Sequence, residues 1–129
     1  SAVAFSWAAG EWRWQACRDG NGDGVRRTDI ARAIDPCSGA ALPLGALFRG
    51  VAIAVEASIP DPDGGAGTAD PVRFGTSDLA SFSPTGTATS GSVYVRSAGG
   101  VQYAVRIAGV TGRTRVLRFE PATRKWQEA

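Results

Sequence analysis

The last third of the chain constrains the fold most, because short apolar stretches alternate there with turns that contain glycine. Candidate strands cover residues 72–75, 79–83, 92–97, 101–108, 113–119 and 123–127, with glycines at positions 86, 91, 99, 100, 109 and 112 between them. Turns at roughly 8–12-residue spacing leave too little chain for ordinary helices and favour antiparallel pairing. The pattern predicts a mainly β fold, an antiparallel β-sheet or β-sandwich, with residues 1–129 as one domain.

The N-terminal stretch carries a second strand pattern, with aromatic residues at alternate positions. Val3, Phe5 and Trp7 alternate with small residues. After a short break, Trp12 and Trp14 alternate with polar ones. This predicts a hairpin with one aromatic face, which we expect to lie in the core because burying such a ring is worth about 2–3 kcal/mol. The alternative is a platform on which sugar rings stack.

The chain between these two regions is less regular. Residues 28–34 are expected to form one or two helical turns, which Pro36 ends, and residues 51–55 alternate as a strand. Residues 59–71 are rich in proline, glycine and aspartate. They are expected to form an exposed loop and the most mobile part of the molecule.

Charge is spread unevenly along the chain, although the formal net charge is only +2. Residues 1–95 carry seven arginines against ten acidic residues, whereas residues 96–129 carry six arginines and one lysine against Glu120 and Glu128. Nucleic acid, an acidic protein or anionic lipid would therefore prefer the C-terminal third. The alternative is that these arginines only line the solvent-facing sides of strands.

The chain has two cysteines, Cys17 and Cys37, so that pairing them leaves no thiol over. In an exported protein they would form one disulfide around the segment rich in aspartate and glycine, whereas in a cytosolic protein they would be two buried thiols. We expect the disulfide. We expect no zinc site, because the chain has no histidine and no further cysteine to complete four ligands.

The segment between the cysteines begins like a calcium-binding loop. Oxygen-bearing side chains occupy its first, third and fifth positions, a glycine the sixth, and a backbone carbonyl would serve at the seventh. The twelfth position should offer a carboxylate but is Ile30, and the nearest acid precedes it by one residue. We therefore expect weak or no calcium binding, and no other cofactor; the alternative is a turn in which carboxylates accept hydrogen bonds from backbone amides. The candidate calcium ligands are Asp19, Asn21, Asp23, Val25 and Asp29.

A second candidate site is the Gly-Arg-Thr-Arg sequence that begins the predicted strand at 113–119. On a strand, Arg113 and Arg115 project from the same face about 6.6 Å apart, so two guanidinium groups could hold neighbouring phosphates. Arg118 would lie on the opposite face, and the basic pair after the next turn could join the patch. The alternative is that the arginines pair with acids across the sheet. The candidate DNA-binding residues are Gly112, Arg113, Arg115, Arg118, Arg124 and Lys125.

In their order along the chain, residues 12–36 and residues 82–119 resemble the globular domain of the GspH/FimT family of minor pilins and pseudopilins. The first stretch holds Cys17 and the segment rich in aspartate and glycine, and the second ends in a strand up to Phe119 that begins with Gly112, Arg113 and Arg115. The likeness covers about half of the chain. It implies the β domain of a type IV pilin-like protein whose N-terminal helix is truncated, since no apolar run approaches the roughly 20 residues of a membrane span.

The resemblance also implies a function. Members assemble at or near the tip of a type IV pilus or a type II secretion filament, with other minor pilins or pseudopilins and the major pilin as partners. Their missing helix anchors them in the bacterial inner membrane, with the β domain in the periplasm or on the cell-surface pilus. In the FimT branch a Gly-Arg-x-Arg motif binds DNA, whereas secretion pseudopilins with similar endings lack that role.

Catalysis has little support in the sequence. Histidine is absent, and no serine lies in a Gly-x-Ser-x-Gly motif, so the usual base and nucleophile are both missing. We therefore expect a non-catalytic protein. The alternative function is that of a secreted β-sandwich module that binds calcium or carbohydrate.

Overall fold

The computed structural model describes residues 1–129 as two antiparallel β-sheets with little helix. A 3₁₀ turn covers Leu44–Ala46, and no helix has the length and hydropathy needed to cross a membrane. The mainly β, antiparallel fold class is therefore confirmed. The elements in chain order are β1 (Ala2–Ala8), β2 (Glu11–Cys17), α1 (Arg27–Ala31), β3 (Ala52–Ile53), β4 (Val72–Arg73), β5 (Leu79–Ser81), β6 (Gly91–Arg96), β7 (Gln102–Ala108), β8 (Arg113–Glu120) and β9 (Lys125–Glu128).

The smaller sheet has the strand order β2-β1-β5. Its β1–β2 hairpin confirms the N-terminal prediction, with Phe5 opposite Trp14 and Trp7 opposite Trp12. The strands reverse at Ala9 and Gly10, both at positive φ, which is the backbone geometry of the tight hairpin turns that match strand twist.

The larger sheet has the order β3-β6-β7-β8-β9, and β4 also pairs with β6. Because side chains alternate along each strand, Val93, Val105 and Val116 share one face, which we call the inner face. The smaller sheet packs there: Phe5 of β1 and Ile53 of β3 belong to one buried apolar cluster, against which Val93 packs.

The opposite side of the larger sheet, which we call the outer face, is covered in part by the β3–β4 loop, residues 54–71. Tyr94, Ala104 and Leu117 of this face form a second buried cluster with Val55 of the loop, and Ile59 packs against it. The prediction of an exposed loop at 59–71 is therefore wrong for residues 59–62, which are half-buried.

Two further sequence expectations need correction. Trp7 is 62 % exposed, so it does not lie in the core. Trp12 and Trp14 are half-buried, and both pack against the core cluster. The strand expected at 51–55 is limited to Ala52 and Ile53, and Val55 already packs on the outer face.

Candidate functional site

The first candidate site is the segment between the two cysteines. Cys17, at the end of β2, forms a disulfide with Cys37, so the predicted bond is confirmed. Structural disulfides are typical of proteins in oxidising compartments. The bond closes a loop that contains α1 and all the predicted calcium ligands.

Asp19 organises the first turn of this loop through backbone amides. Its carboxylate accepts hydrogen bonds from the amides of Asn21, Gly22 and Gly24 at 3.2, 2.9 and 2.8 Å. These bonds, that of Gly24 foremost, hold the pKa of Asp19 below its ordinary value. With its amide turned to satisfy both polar atoms, Asn21 donates to Asp19 at 3.0 Å and also to Asp23. These contacts are those of the alternative interpretation, a turn capped by carboxylates.

Asp35 is the residue that sequence reasoning missed in this loop. It is 1 % exposed and accepts hydrogen bonds from the backbone amides of Gly20 at 2.8 Å and Arg26 at 2.9 Å. Its carboxylate lies with those of Asp19 and Asp23 in a cluster whose oxygens are within 4.8 Å of one another. No spacing rule reaches position 35, and its only sequence signal is that it precedes Pro-Cys.

The carboxylate of Asp29, another predicted calcium ligand, does not belong to this carboxylate cluster. Asp29 lies in α1, and the cluster contains Asp35 in its place. Val25 is half-buried against the apolar cluster of Ala4, Cys17 and Leu79. Of the predicted side-chain ligands, Asp19 and Asp23 therefore belong to the carboxylate cluster, and Asn21 lies beside both.

The second candidate site begins at the turn between β7 and β8. Gly112 has φ +67°, and a Cβ atom there would lie 2.8 Å from the carbonyl oxygen of Gly86, so only glycine fits. Arg113 and Arg115 follow on the outer face, as expected from their spacing. Arg115 is ion-paired with Glu128 of β9, its Nε donating at 2.7 Å, whereas Arg113 makes no ion pair. The alternative of pairing across the sheet therefore holds for Arg115 alone.

The other predicted DNA-binding residues do not join this pair. Arg118 lies opposite Tyr103 and Gln127, on the side away from Arg115. Lys125 lies opposite Glu120 and shares that side. Arg124 donates to the carbonyl oxygen of Ser58 at 2.8 Å, at the far end of the outer face. Arg118 therefore lies on the opposite face, as expected from alternation along β8, and Lys125 lies on that face too and does not extend the patch.

Strand register instead brings Arg115 next to arginines from other parts of the chain. Arg106 of β7 lies directly opposite Arg115, Ser92 of β6 lies opposite Arg106, and Arg73 of β4 lies opposite Ser92. We call Arg73, Arg106 and Arg115 the arginine row. Neither Arg73 nor Arg106 belongs to a motif, so only the pairing of strands reveals them.

Acidic residues of the β3–β4 loop hold two members of the arginine row. Both carboxylate oxygens of Asp63 accept from Arg106, at 2.8 and 2.9 Å, and these hydrogen bonds keep the pKa of Asp63 below its ordinary value. Asp61 accepts from Arg73 at 2.5 Å. Arg73 also lies 4.3 Å from the ring centroid of Tyr94, whose pKa is raised by burial.

Comparison with known proteins adds no assignment. No family model matches the chain, and no curated protein or solved structure matches it either.

Proposed function

We propose that this chain is the β domain of a non-catalytic minor pilin or pseudopilin. It would act by assembly at or near the tip of a type IV pilus or a type II secretion filament, with other pilin-like subunits as partners. An apolar helix encoded before Ser1 would anchor the protein in the bacterial inner membrane. The order of motifs in the sequence, the disulfide and the β fold support this proposal.

The observation that carries the proposal is the uneven cover of the inner face. One cross-strand row runs through Val72, Val93, Val105 and Val116, on β4, β6, β7 and β8. Val72 is completely buried, whereas Val116 is 42 % exposed. The smaller sheet therefore covers one end of the row and leaves the other end open.

An apolar helix has the right dimensions for the open end. A helix with its side chains is about 10 Å wide. Neighbouring strands lie about 4.8 Å apart, so such a helix covers the width of two strand spacings. A sheet face gains stability by burying its apolar side chains against such an element. Val105 and Val116, on adjacent strands, are the residues that the helix would contact.

The test uses the full-length gene product and the substitution Val116→Asp. The DNA upstream of Ser1 should encode a short basic leader and a long apolar segment. A carboxylate at position 116 would face the apolar helix, so we expect at least a tenfold loss of the protein from sheared filaments, measured by immunoblotting.

Val110→Asp is the matched control, because Val110 is 87 % exposed in the β7–β8 turn. It should assemble like the wild type, and thermal melts of both isolated variants should show folded domains. Normal assembly of Val116→Asp, or the lack of an upstream apolar segment, would refute the proposal.

A second role, DNA binding without sequence preference, is favoured by the outer face. Arg113 makes no ion pair, and Arg106 lies directly opposite Arg115, so three guanidinium groups are close together. Strands that present guanidinium groups, without a helix for the major groove, would read the phosphate backbone and not the bases.

Fluorescence anisotropy with a labelled duplex tests this role. Binding should weaken steeply with salt, and replacing both Arg113 and Arg115 by glutamine should flatten the log–log slope by about two. Arg18→Gln with Arg32→Gln is the control, since both arginines are exposed and lack side-chain partners. Equal losses of DNA affinity in the two double variants would exclude this role. So would the absence of salt-dependent binding both in the wild type and in a variant without the Asp63 carboxylate.

A further inference from the structure

The arginine row places like charges where a sheet normally avoids them. Arg106 and Arg115 are direct cross-strand partners, about 5 Å apart at their backbones, and like charges in such positions destabilise a sheet. Arg73 lies two strands farther along the same line. The row therefore crosses the outer face at right angles to the strands, over roughly 14 Å.

Each member of the row has an acidic partner within the chain. Asp61 and Asp63 of the β3–β4 loop pair with Arg73 and Arg106, and Glu128 of β9 pairs with Arg115. The negative charge of these carboxylates offsets the repulsion between the arginines of the row. Without them, the row would be a strip of positive charge that continues to Arg113.

The Asp63–Arg106 pair is the one best suited to exchange. Its two parallel hydrogen bonds have the forked geometry that a guanidinium also offers to a phosphate. The Asp63 side chain is 75 % exposed, and exposed ion pairs contribute little to stability. The Asp61–Arg73 pair is more buried and also joins Tyr94, so it holds the loop in place.

We propose that Asp63 is an exchangeable internal counter-ion that masks the arginine row against polyanions. While the Asp63 carboxylate holds Arg106, a nucleic-acid backbone that binds Arg113 and Arg115 would not reach Arg106; it would extend along the row once that carboxylate is removed or gives way. This inference rests on the proposed DNA-binding role of the outer face. It assigns Arg106 as a further phosphate contact and Asp63 as the residue that limits affinity.

Asp63→Asn tests the inference, because asparagine keeps the shape of the side chain and removes its charge. Anisotropy titrations with a short labelled duplex between about 50 and 200 mM salt should show a log–log slope steeper by about one than that of the wild type. Affinity at the lower salt concentration should rise several-fold. Adding Arg106→Gln should return the slope to the wild-type value, while Arg106→Gln alone should change it little.

Glu11→Gln is the matched control, since it frees Arg13 on the smaller sheet and changes the net charge equally. It should leave the slope unchanged. If the wild type binds DNA but Asp63→Asn binds with the same slope, the masking inference fails and the DNA-binding role stands. If Asp63→Asn binds DNA and the wild type does not, masking by Asp63 is supported in its strongest form. If neither the wild type nor Asp63→Asn binds DNA, the masking inference and the DNA-binding role are both refuted. If Glu11→Gln raised DNA affinity as much as Asp63→Asn, the change in net charge alone would explain the result, and the inference would be overturned.

Discussion

The loop between the cysteines and the outer face of the larger sheet both concentrate aspartates, but they neutralise them differently. In the loop, Asp19 and Asp35 accept hydrogen bonds from backbone amides. On the outer face, Asp61 and Asp63 accept from arginine side chains. The hydrogen-bond donors differ in kind: those in the loop are backbone amides, and those on the outer face are the ends of long, flexible side chains.

This difference separates structural carboxylates from exchangeable ones. An amide in a buried turn that loses its acceptor stays unsatisfied, which costs about 1–3 kcal/mol for each group. An arginine that loses an exposed carboxylate turns to water or to another anion at little cost. Asp35, which is buried, is therefore expected to hold the fold, and Asp63 to govern what the surface binds.

The largest effect is expected from Asp35→Ala. The substitution leaves the amides of Gly20 and Arg26 without their acceptor at a site that is 1 % exposed, so we expect a loss of about 4 kcal/mol in the free energy of unfolding. Urea denaturation measures it. Asp63→Ala is the comparison and should cost about 0.5 kcal/mol or less. Similar losses in the two variants would remove the distinction between the two regions.

Replacing Cys17 and Cys37 together by alanine should have the next largest effect. The bond closes a loop with a sequence separation of 20 residues, so its loss should lower the free energy of unfolding by about 3 kcal/mol. Amide hydrogen exchange should become faster within residues 17–37 and stay slow in β6, β7 and β8. Uniform loss of protection would show that the loop and the larger sheet unfold as one unit.

The smallest effect concerns acid titration of Asp63. Because Arg106 lowers the pKa of Asp63 in the folded state below its ordinary value of 3.8, the pair adds stability above that value. This contribution is lost as pH falls through the lowered pKa. Carboxyl ¹³C NMR should show the Asp63 midpoint below 3.8 in the wild type and near 3.8 in Arg106→Gln.

Asp19 is the internal reference in the same titration, since backbone amides lower its pKa. Added salt should move the midpoint of Asp63 towards its ordinary value and leave that of Asp19 nearly unchanged, because salt screens exposed charges. If both midpoints moved equally with salt, an arginine side chain and backbone amides could not be the separate causes of the two lowered pKa values.

Local patterns in the sequence were enough to find most strands. The hairpin of β1 and β2 follows from alternating aromatic residues, and β6, β7 and β8 were located within two residues of their ends. The disulfide also followed from the count of cysteines, together with the expectation of export. The strands follow from the alternation of neighbouring residues and the disulfide from a count, and a sequence contains both kinds of information.

Features that depend on distant segments were predicted less well. Trp7 fits the core pattern of its strand, yet its side chain is 62 % exposed. The 59–71 loop has the composition of an exposed, mobile loop, yet Ile59 packs on the outer face and Trp126 donates to the carbonyl oxygen of Pro60. Composition does not show which surface a loop will cover.

The sequence by itself determined the antiparallel β class, the cysteine pair and the placing of Arg113 and Arg115 on one strand face, since each follows from alternation or from counting. Only the tertiary structure decided that Asp35 joins the loop and that Arg73, Arg106 and Arg115 form a row. The physical reason is strand register, which brings together residues from β4, β7 and β8 that no sequence spacing connects.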